Sequence, residues 1–403
     1  EVKIWLKPNM ETLQRTANRG SVSTGYDIDN SLKFEADNSE YLKWTDISTY
    51  ATSARKKTFS FSVWFKISEL GVQRTIWATA ANGYLLLQAD GQLKWQQSYG
   101  GVVKTLNTNR LFRDTSAWYN VIIAVDSTQS TEANRVRLYV NGVEETSLTS
   151  TTYPSQDAEA ENVYENHHSL GAYNSSSIFW SGYMANVAFI SDAQITPSAV
   201  GEVDSDTGIW KPKAYSGGSA PSYFLEFKDS SDLGTATGLD ADTLNNIAAA
   251  DQSTDTPTNN FCTLNPNVNF KYGTNAGGMI NGATTFGDDT SGGVGGAFGT
   301  FAVTAGKWYW EVKLTQQSSH YIGVSAVDDG DNVLSSTDPH QINSTFNFNI
   351  NAARIEYIDG GTVTAGSLDA FTDFHSAGDI IGIALNMDDN QISIYGNGTL
   401  QSG

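Results

Sequence analysis

Two runs of alternating acidic residues are the first places in this 403-residue chain where side chains could do chemistry. Residues 157–161 read Asp-Ala-Glu-Ala-Glu, and residues 202–206 read Glu-Val-Asp-Ser-Asp. On a β-strand, alternate side chains share one face, where two carboxylates can act as the acid and the nucleophile of glycoside hydrolysis. However, the first run is alanine-rich and follows Pro154, and the second lies in the expected interdomain region. We therefore interpret both as solvated acidic loops and predict no enzymatic activity.

Histidine and cysteine form no catalytic or zinc-binding pattern. His167 and His168 are adjacent, so on a strand they would point to opposite faces. The other three histidines are scattered, and no Cys/His spacing typical of zinc occurs. The single cysteine, Cys262, excludes an intrachain disulfide, and we expect its thiol to be buried.

The formal net charge of −20 restricts the classes of partner. A field of that sign repels phosphate backbones, which argues against nucleic acid as a partner, and it disfavours docking on anionic membranes. No stretch approaches the roughly 18 apolar residues of a membrane span, so we predict no membrane insertion. Divalent cations are the one class of partner that this charge favours.

The elements that must position these side chains are predicted to be β-strands. Apolar and polar residues alternate in residues 59–67 and 119–125, and this period of two is typical of half-buried strands. Asn141-Gly142 separates two further runs and predicts a two-residue hairpin. Strand patterns resume in residues 309–314, 321–324, 346–350, 354–358, 379–385 and 391–395. Short strands separated by frequent turns predict an all-β fold of two antiparallel β-sandwiches in tandem.

A change of composition near residue 200 predicts a domain boundary. Large apolar residues become sparse there, and a segment with Pro212, Pro221 and a Gly-Gly-Ser follows. We predict a first sandwich over residues 1–205, a linker or bridging segment over 206–264, and a second sandwich over 265–403.

The first predicted sandwich resembles the laminin-G/concanavalin A-like fold, which is of jelly-roll type. The segments that carry the resemblance appear in the family's order, and they are Ser31-Leu32-Lys33-Phe34, Glu40-Tyr41-Leu42, residues 59–65, residues 117–121, residues 138–143, Leu170-Gly171 and residues 182–189.

The second predicted sandwich resembles a SPRY domain. The segments that carry the resemblance are residues 306–312, 321–324, 378–385 and 392–395. The family's final strands would follow Gly403, so the resemblance implies that this sandwich is incomplete at its C-terminus.

Residues 223–231 and 255–266 resemble segments of tailed-phage fibre and virion-surface proteins, in which a laminin-G-like part precedes a SPRY-like part. This resemblance implies host recognition at the virion surface, with a host-surface glycan or protein as ligand. It also implies assembly in the host cytoplasm, contacts with other virion subunits and a homotrimer. Two alternatives stay open. One is a structural virion protein that contacts only other subunits, and the other is a polysaccharide-degrading enzyme, against which the missing carboxylate pair argues.

Calcium is the one metal to which the sequence points, and no other cofactor is required. Many laminin-G-like domains hold Ca²⁺ at a loop rim, and Asp27 and Asp29 lie just before the first predicted strand. Because Ca²⁺ takes several oxygen ligands in loose geometry, these two carboxylates are candidate ligands. Solvated turn residues are the alternative.

Aromatic residues flanked by polar ones are the candidate sugar contacts, because sugars bind to aromatic platforms bordered by planar polar groups. The amides of Gln96 and Gln97 lie beside Trp95 and Tyr99 in the sequence. The predicted ligand-binding residues are Trp77, Trp95, Gln97, Tyr99, Tyr173 and Trp180, with core packing as the alternative for the tryptophans. In the second domain, residues 328–338 form an acidic loop of the kind through which SPRY-like proteins bind.

Overall fold

The computed structural model describes residues 26–164, 167–272, 278–287, 294–316, 321–325, 345–349, 354–359, 362–367 and 376–401. These residues fall into two compact units, the first comprising residues 26–267 and 279–286 and the second the remainder. Both units consist almost entirely of antiparallel β-sheet, so the predicted all-β fold class is confirmed. Within the described part of the chain, no helix is long and apolar enough to cross a membrane.

Strands of the first unit begin at Ser31. The strands up to Ser191 are β1 Ser31–Phe34, β2 Tyr41–Trp44, β3 Thr58–Ile67, β4 Arg74–Thr79, β5 Gly83–Leu87, β6 Gln92–Tyr99, β7 Val102–Leu111, β8 Trp118–Asp126, β9 Val136–Val140, β10 Val143–Glu144, β11 Leu148–Thr152, β12 His168–Leu170 and β13 Gly182–Ser191. The strands that follow are β14 Gly201–Val203, β15 Trp210–Pro212, β16 Pro221–Leu225, β17 Ala236–Gly238, β18 Thr243–Asn245 and β19 Gln252–Ser253. Helical segments are the short helix α1, Ser53–Lys57, and 3₁₀ turns at Ala36–Asn38, Ser48–Tyr50, Ala80–Asn82, Glu132–Asn134, Pro197–Ala199 and Ala249–Asp251.

Two sheets of the first unit pack face to face as a sandwich. The nine-stranded sheet has the order β10-β9-β8-β3-β13-β1-β19, and β16 and β17 extend it beside β13. The eight-stranded sheet has the order β11-β7-β6-β5-β4-β12-β2-β18. The predicted alternation on β3 is confirmed, because Phe59, Phe61, Val63 and Phe65 are all fully buried in the core between the sheets. Phe61 stacks on Trp77 of the opposite sheet with ring centroids 4.6 Å apart.

The outer face of the nine-stranded sheet is also buried. Three stretches of chain cover it, residues 26–30, 193–215 and 253–262, and we call them the covering segments. Ile28 and Trp210 pack with Trp64, Trp118 and Tyr183 in one cluster. Ile195, Ala199 and Val200 pack in another cluster against outward residues of β8 and β13, among them Ile122 and Ile190. This face is therefore closed to solvent and to ligands.

Residues 206–264 are not a linker, in contrast to the sequence-based prediction. β16 pairs with β13, β18 pairs with β2 and β19 pairs with β1, so this stretch adds strands to both sheets of the first sandwich. The polar sequence of this stretch did not reveal these strands. Each is only two to five residues long and is stabilised by pairing with distant strands. The first compact unit consequently extends to residue 267.

The predicted hairpin at Asn141-Gly142 is confirmed, and a tertiary contact constrains it further. Both residues have positive φ, 47° and 80°, as a tight turn between twisted strands requires. A Cβ atom on Gly142 would lie 2.4 Å from the ring of Trp210. The Trp210 indole in turn donates a hydrogen bond to Asn120 Oδ1 at 3.1 Å.

We expect Gly142→Ala to lower the free energy of unfolding by about 2–4 kcal/mol, since alanine is strained at this φ and its methyl group displaces Trp210. Gly71→Ala is the matched control, because Gly71 has φ +79° and a Cβ atom added there would meet no other atom within 4 Å. The control should cost only the backbone part, about 1–2 kcal/mol. Denaturant titrations measure both values, and equal losses would show that the Trp210 contact contributes nothing.

The second unit is a smaller β-sandwich. Three strands lie where the chain passes between the two units, and they are β20 Leu264–Tyr272, β21 Gly278–Ile280 and β22 Thr285–Gly287. The other strands belong to the second unit, and they are β23 Val294–Gly299, β24 Lys307–Lys313, β25 Tyr321–Ser325, β26 Thr345–Asn349, β27 Arg354–Asp359, β28 Thr362–Ser367, β29 Ile380–Asn386, β30 Gln391–Gly396 and β31 Thr399–Leu400. Two four-stranded sheets, β24-β29-β30-β31 and β25-β26-β27-β28, share a core of Leu314, Phe348, Ile381 and Ile394. All six strands predicted from the sequence in this region are present, and the acidic loop 328–338 lies outside the described residues.

Candidate functional site

Three of the predicted sugar-contacting residues lie in the sandwich core. Trp77, Trp95 and Trp180 are each 0% exposed. The Trp77 indole donates a hydrogen bond to the Tyr223 hydroxyl at 3.0 Å, and Trp180 packs edge-on against Phe65. A side chain with no exposed surface is unable to serve as a platform for a sugar, so these residues hold the two sheets together instead.

Gln97 and Tyr99 also point away from solvent. Gln97 is 0% exposed, and its amide donates to the backbone carbonyl of Glu161. Tyr99 is 5% exposed, and burial raises the pKa of its phenol well above the usual value. The sequence-based prediction placed the polar neighbours of Trp95 around its ring. Side-chain alternation on β6 instead sends Trp95, Gln97 and Tyr99 inward, while Lys94 and Gln96 point outward.

The outer face of the eight-stranded sheet is the one broad sheet face of the first unit that its own covering segments leave uncovered, and we call it the open face. Register places Tyr84 of β5 opposite Gln96 of β6, and Gln96 opposite Thr105 of β7. In the next row, Leu86 lies opposite Lys94. Most side chains in these rows are polar or aromatic, although Val103 of β7, opposite Ser98, is 43% exposed.

Tyr84 is the centre of this open face. Its hydroxyl donates a hydrogen bond to Gln96 Oε1 at 2.6 Å, and the Lys94 ammonium lies 5.7 Å from the centre of its ring. Tyr173 packs edge-on against the same ring with centroids 5.7 Å apart. Burial raises the pKa of the Tyr84 phenol, so the hydroxyl stays protonated near neutral pH. Among the predicted ligand residues, Tyr173 alone lies on this face.

A chain of side-chain amides continues the polar surface beside Tyr84. Gln88 Nε2 donates to Asn107 Oδ1 at 2.7 Å, and Asn107 Nδ2 donates to Gln92 Oε1 at 2.9 Å. Gln92 Nε2 then donates to the Thr149 hydroxyl at 3.1 Å. Successive donation fixes the orientation of each amide plane. The result is a row of planar polar groups next to an aromatic ring, which is a combination that suits sugar rings.

A strained loop borders the open face. Residues 171–180, which we call the Tyr173 loop, contain Asn174, Ser175 and Ile178 with φ of 50°, 56° and 52°. Positive φ is unusual for asparagine and serine and costly for a β-branched residue such as isoleucine. Hydrogen bonds from Thr75 N to Ile178 O at 3.0 Å and from Tyr173 N to Ser177 O at 2.8 Å hold the loop over the sheet. Conformations of this kind cluster at active sites and ligand clamps, and the loop packs Tyr173 against Tyr84.

Asp27 and Asp29, the candidate calcium ligands, lie at the start of the described chain. Both are exposed on either side of buried Ile28, whose backbone is held by Thr258. No cluster of three or more His, Cys, Asp or Glu side chains occurs among the described residues. Because Ca²⁺ also takes backbone carbonyl oxygens and water as ligands, the calcium site stays a prediction.

The first acidic run lies in a loop, as predicted, whereas the second begins on β14 with Glu202 and Val203 and continues into buried Asp204. Glu161 accepts hydrogen bonds from the Ser98 hydroxyl at 2.5 Å and from Gly101 N at 2.8 Å. Asp204 accepts from the backbone of Thr207 at 2.9 Å, which with further hydrogen bonds holds its pKa below the usual value. In the second run the carboxylates of Glu202 and Asp204 both pair with Lys211 Nζ, at 3.3 and 3.4 Å. Cys262, expected to be buried, is exposed on a covering segment.

His168 belongs to a buried polar network that is structural. Its Nε2 lies 2.8 Å from the carbonyl oxygen of Val163, so Nε2 carries the proton and Nδ1 accepts from the Tyr223 hydroxyl at 3.1 Å. Tyr223 accepts in turn from the Trp77 indole. Burial lowers the pKa of His168 to about 3, so the ring is neutral near pH 7. The network satisfies its polar groups within the core and leaves none for a ligand.

Sequence reasoning missed Tyr84, Lys94, Gln88, Gln92, Gln96 and Asn107. Period-two alternation was the signal that could have found them. In Gln92–Tyr99 the apolar residues Leu93 and Trp95 identify the core face, so the polar residues between them must lie on the opposite face.

Comparisons with known families agree with this architecture. Residues 36–200 match the model of the concanavalin A-like lectin/glucanases superfamily, and residues 307–402 match the model of the SPRY domain. No curated protein sequence matches the chain.

Solved structures resemble parts of the chain at low identity. A heptameric SAP-like pentraxin from Limulus polyphemus is 15% identical, with 42% of this chain and 80% of that chain covered and a TM-score of 0.27. A putative carbohydrate-binding protein from Bacteroides ovatus is 15% identical, with coverages of 56% and 62% and a TM-score of 0.31. The CBM40 of the Ruminococcus gnavus IT-sialidase, bound to α2,3-sialyllactose, is 14% identical, with coverages of 38% and 87% and a TM-score of 0.27. These values are too low to bear on function.

The two family models and the observed sheets show that the chain carries a concanavalin A-like domain followed by a SPRY domain.

Proposed function

We propose that this protein is a non-catalytic binding protein whose first domain holds glycans on the open face. The observation that carries the proposal is the difference between the two outer sheet faces. One is buried under the covering segments, and the other presents Tyr84, Tyr173 and a row of oriented amides. The match to the concanavalin A-like lectin/glucanases superfamily supports a binding role.

We further propose that the protein acts at the surface of a virion, as part of a tail fibre or capsid, and recognises a host-surface glycan or protein there. The support is the sequence resemblance of residues 223–231 and 255–266 to phage fibre and virion-surface proteins. Assembly in the host cytoplasm, contacts with other virion subunits and a homotrimer belong to the same proposal. Weak single-site binding would be amplified by several copies on one particle.

Tyr84→Ala should weaken glycan binding at least about tenfold, because it removes the central ring and the hydrogen bond to Gln96. The measurement is binding of the purified protein to a glycan array and to host cells, in calcium and in EDTA. Trp95→Phe is the control, since it alters a fully buried residue whose indole nitrogen has no hydrogen-bond partner among the described residues.

Equal affinities of the Tyr84→Ala variant and the unmodified protein would place binding elsewhere than the open face. Absence of binding to every glycan and to host cells in both buffers would refute the glycan-binding function. A structural virion protein that contacts only other subunits would then be the better account.

A further inference from the structure

The eight-stranded sheet has an unusual charge composition for this chain. The protein has 44 acidic and 24 basic residues, yet none of the eight strands of this sheet contains Asp or Glu. The same strands contain Lys43, Arg74, Lys94, Lys104 and Arg110. The strong negative charge of the protein is thus carried by other parts of the chain, and the open face lies within a locally basic sheet.

Two of these lysines reach the open face without an acidic partner. Lys94 and Lys43 form no ion pair with any described residue, whereas Arg74 and Arg110 of the same sheet are paired with Glu69 and Glu145. An unpaired ammonium in a protein with almost two acids per base is a candidate for an external anion. Lys94 is also oriented, because it lies over the Tyr84 ring.

The acidic residues nearest in sequence to the ends of β6 are already engaged. Glu161 reaches Ser98, but both of its carboxylate oxygens accept hydrogen bonds from the Ser98 hydroxyl and Gly101 N. Asp90, at the other end, accepts from Gln92 N at 2.9 Å. Between these two ends, Lys94 is the charged residue of the strand.

The two lysines lie far apart on the sheet. Across neighbouring strands Lys43 lies opposite Ser169, Ser169 opposite Ala78, and Ala78 opposite Tyr84. Lys43 is therefore three strands from Tyr84 and four strands from β6. Strands are spaced by about 4.8 Å, so roughly 19 Å separates β2 from β6. Ser169 and Ala78, which lie between them, are both fully buried, so a ligand that packs on Tyr84 and Lys94 does not continue over these strands to Lys43.

From these observations we propose that the ligand of the open face is an acidic glycan, whose carboxylate or sulfate groups bind Lys94 while its sugar rings pack on Tyr84. This inference rests on the proposed glycan-binding function and adds the charge of the ligand. The amides of Gln88, Gln92, Gln96 and Asn107 favour a hydroxyl-rich ligand, which distinguishes a glycan from an acidic protein or a lipid surface.

The test uses a glycan array printed twice, once native and once with the carboxylates methyl-esterified, with sulfated glycans and their desulfated forms printed alongside. The full-length protein, Lys94→Gln and Tyr84→Ala are compared, each at low and at physiological salt. Lys213→Gln is the matched control, because Lys213 is a similarly half-buried lysine on the covered side of the sandwich.

We expect the native acidic glycans to bind, and esterification or desulfation to abolish binding. Lys94→Gln should weaken binding about fivefold, with a smaller loss at higher salt.

Binding that is insensitive to esterification, desulfation and Lys94→Gln but is lost in Tyr84→Ala would overturn the acidic-ligand inference and retain the proposed function. An array without any bound glycan would overturn both. A loss in Lys213→Gln equal to that in Lys94→Gln would also overturn the inference, since it would show an effect of net charge rather than of the open face.

Discussion

Replacing Lys66 with alanine should lower the free energy of unfolding of the first unit by about 3–5 kcal/mol, because the substitution leaves a buried carboxylate without its partner. Lys66 Nζ lies 2.8 Å from Asp255 Oδ2, and the two side chains are 1% and 5% exposed. The ammonium also donates to Asn260 Oδ1 at 2.8 Å and to Phe261 O at 2.7 Å. Burial lowers the pKa of Lys66, and the charge of Asp255 partly offsets this effect.

This ion pair fastens a covering segment, residues 253–262, to the outer face of the nine-stranded sheet. The Trp118 indole donates to the other carboxylate oxygen of Asp255 at 2.9 Å, and the Ser31 hydroxyl donates to the Asp255 carbonyl at 2.6 Å. A segment held by so many buried contacts belongs to the first domain, so its loss should destabilise the whole sandwich.

Denaturant titration of Lys66→Ala measures the predicted loss. Lys228→Ala is the matched control, since Lys228 forms an ion pair with Glu226 in which the two side chains are 55% and 32% exposed. Such an exposed pair contributes about 0–1 kcal/mol. The double variant Lys66→Met with Asp255→Leu should recover much of the stability, because an apolar pair leaves no uncompensated charge. A loss below about 1 kcal/mol in Lys66→Ala would show that residues 253–262 are not docked on the sandwich in solution.

Acidification should begin to destabilise the first domain above the pH at which most carboxylates titrate, because His168 is buried in its neutral form. Its pKa falls from 6.5 to about 3 in the folded protein. Below pH 6.5 the unfolded chain therefore binds a proton that the folded chain does not, so stability decreases as pH falls from 6.5 towards 3. The expected slope is about 1.4 kcal/mol per pH unit, or on the order of 5 kcal/mol over the whole window.

Unfolding free energies measured between pH 7 and 4.5 test this slope before most carboxylates are protonated. His168→Gln should flatten the slope, even where its overall stability is lower. His167→Gln is the matched control, because His167 is the adjacent histidine, is half-buried and has a smaller lowering of its pKa. Imidazole NMR signals of the unmodified protein provide a second measurement. A titration of His168 near pH 6 in the folded state would contradict the prediction.

The two outer faces of the first sandwich relate its stability to its proposed function. The covered face uses its apolar and ionic groups to bind parts of its own chain, as the Lys66–Asp255 pair shows. The open face leaves Tyr84, Lys94 and the amide row available to a ligand. Stability and binding therefore depend on different residues, and the variants Lys66→Ala and Tyr84→Ala should separate the two properties.

The fold class and most strands follow from the sequence. In β3, large apolar side chains recur at every second position, and such a pattern buries one face whatever the rest of the chain does. The Asn141-Gly142 turn is equally local, because only residues that tolerate positive φ form it easily. Alternation also determines which side chains of β6 face the core, although the sequence-based prediction did not apply it there and so named Trp95, Gln97 and Tyr99 as ligand contacts.

Tertiary structure alone decided which sheet face is open. Period-two patterns separate the two sides of a strand, but they do not tell which of two outer faces a later part of the chain will cover. Residues 193–215 and 253–262 cover one face through contacts with several strands, some of them distant in the sequence, such as Lys66 with Asp255. Tyr84 and Tyr173 likewise meet only because β4 and β12 are neighbours in the folded sheet. Local sequence determined the strands and their two sides, and long-range pairing determined where a ligand can reach them.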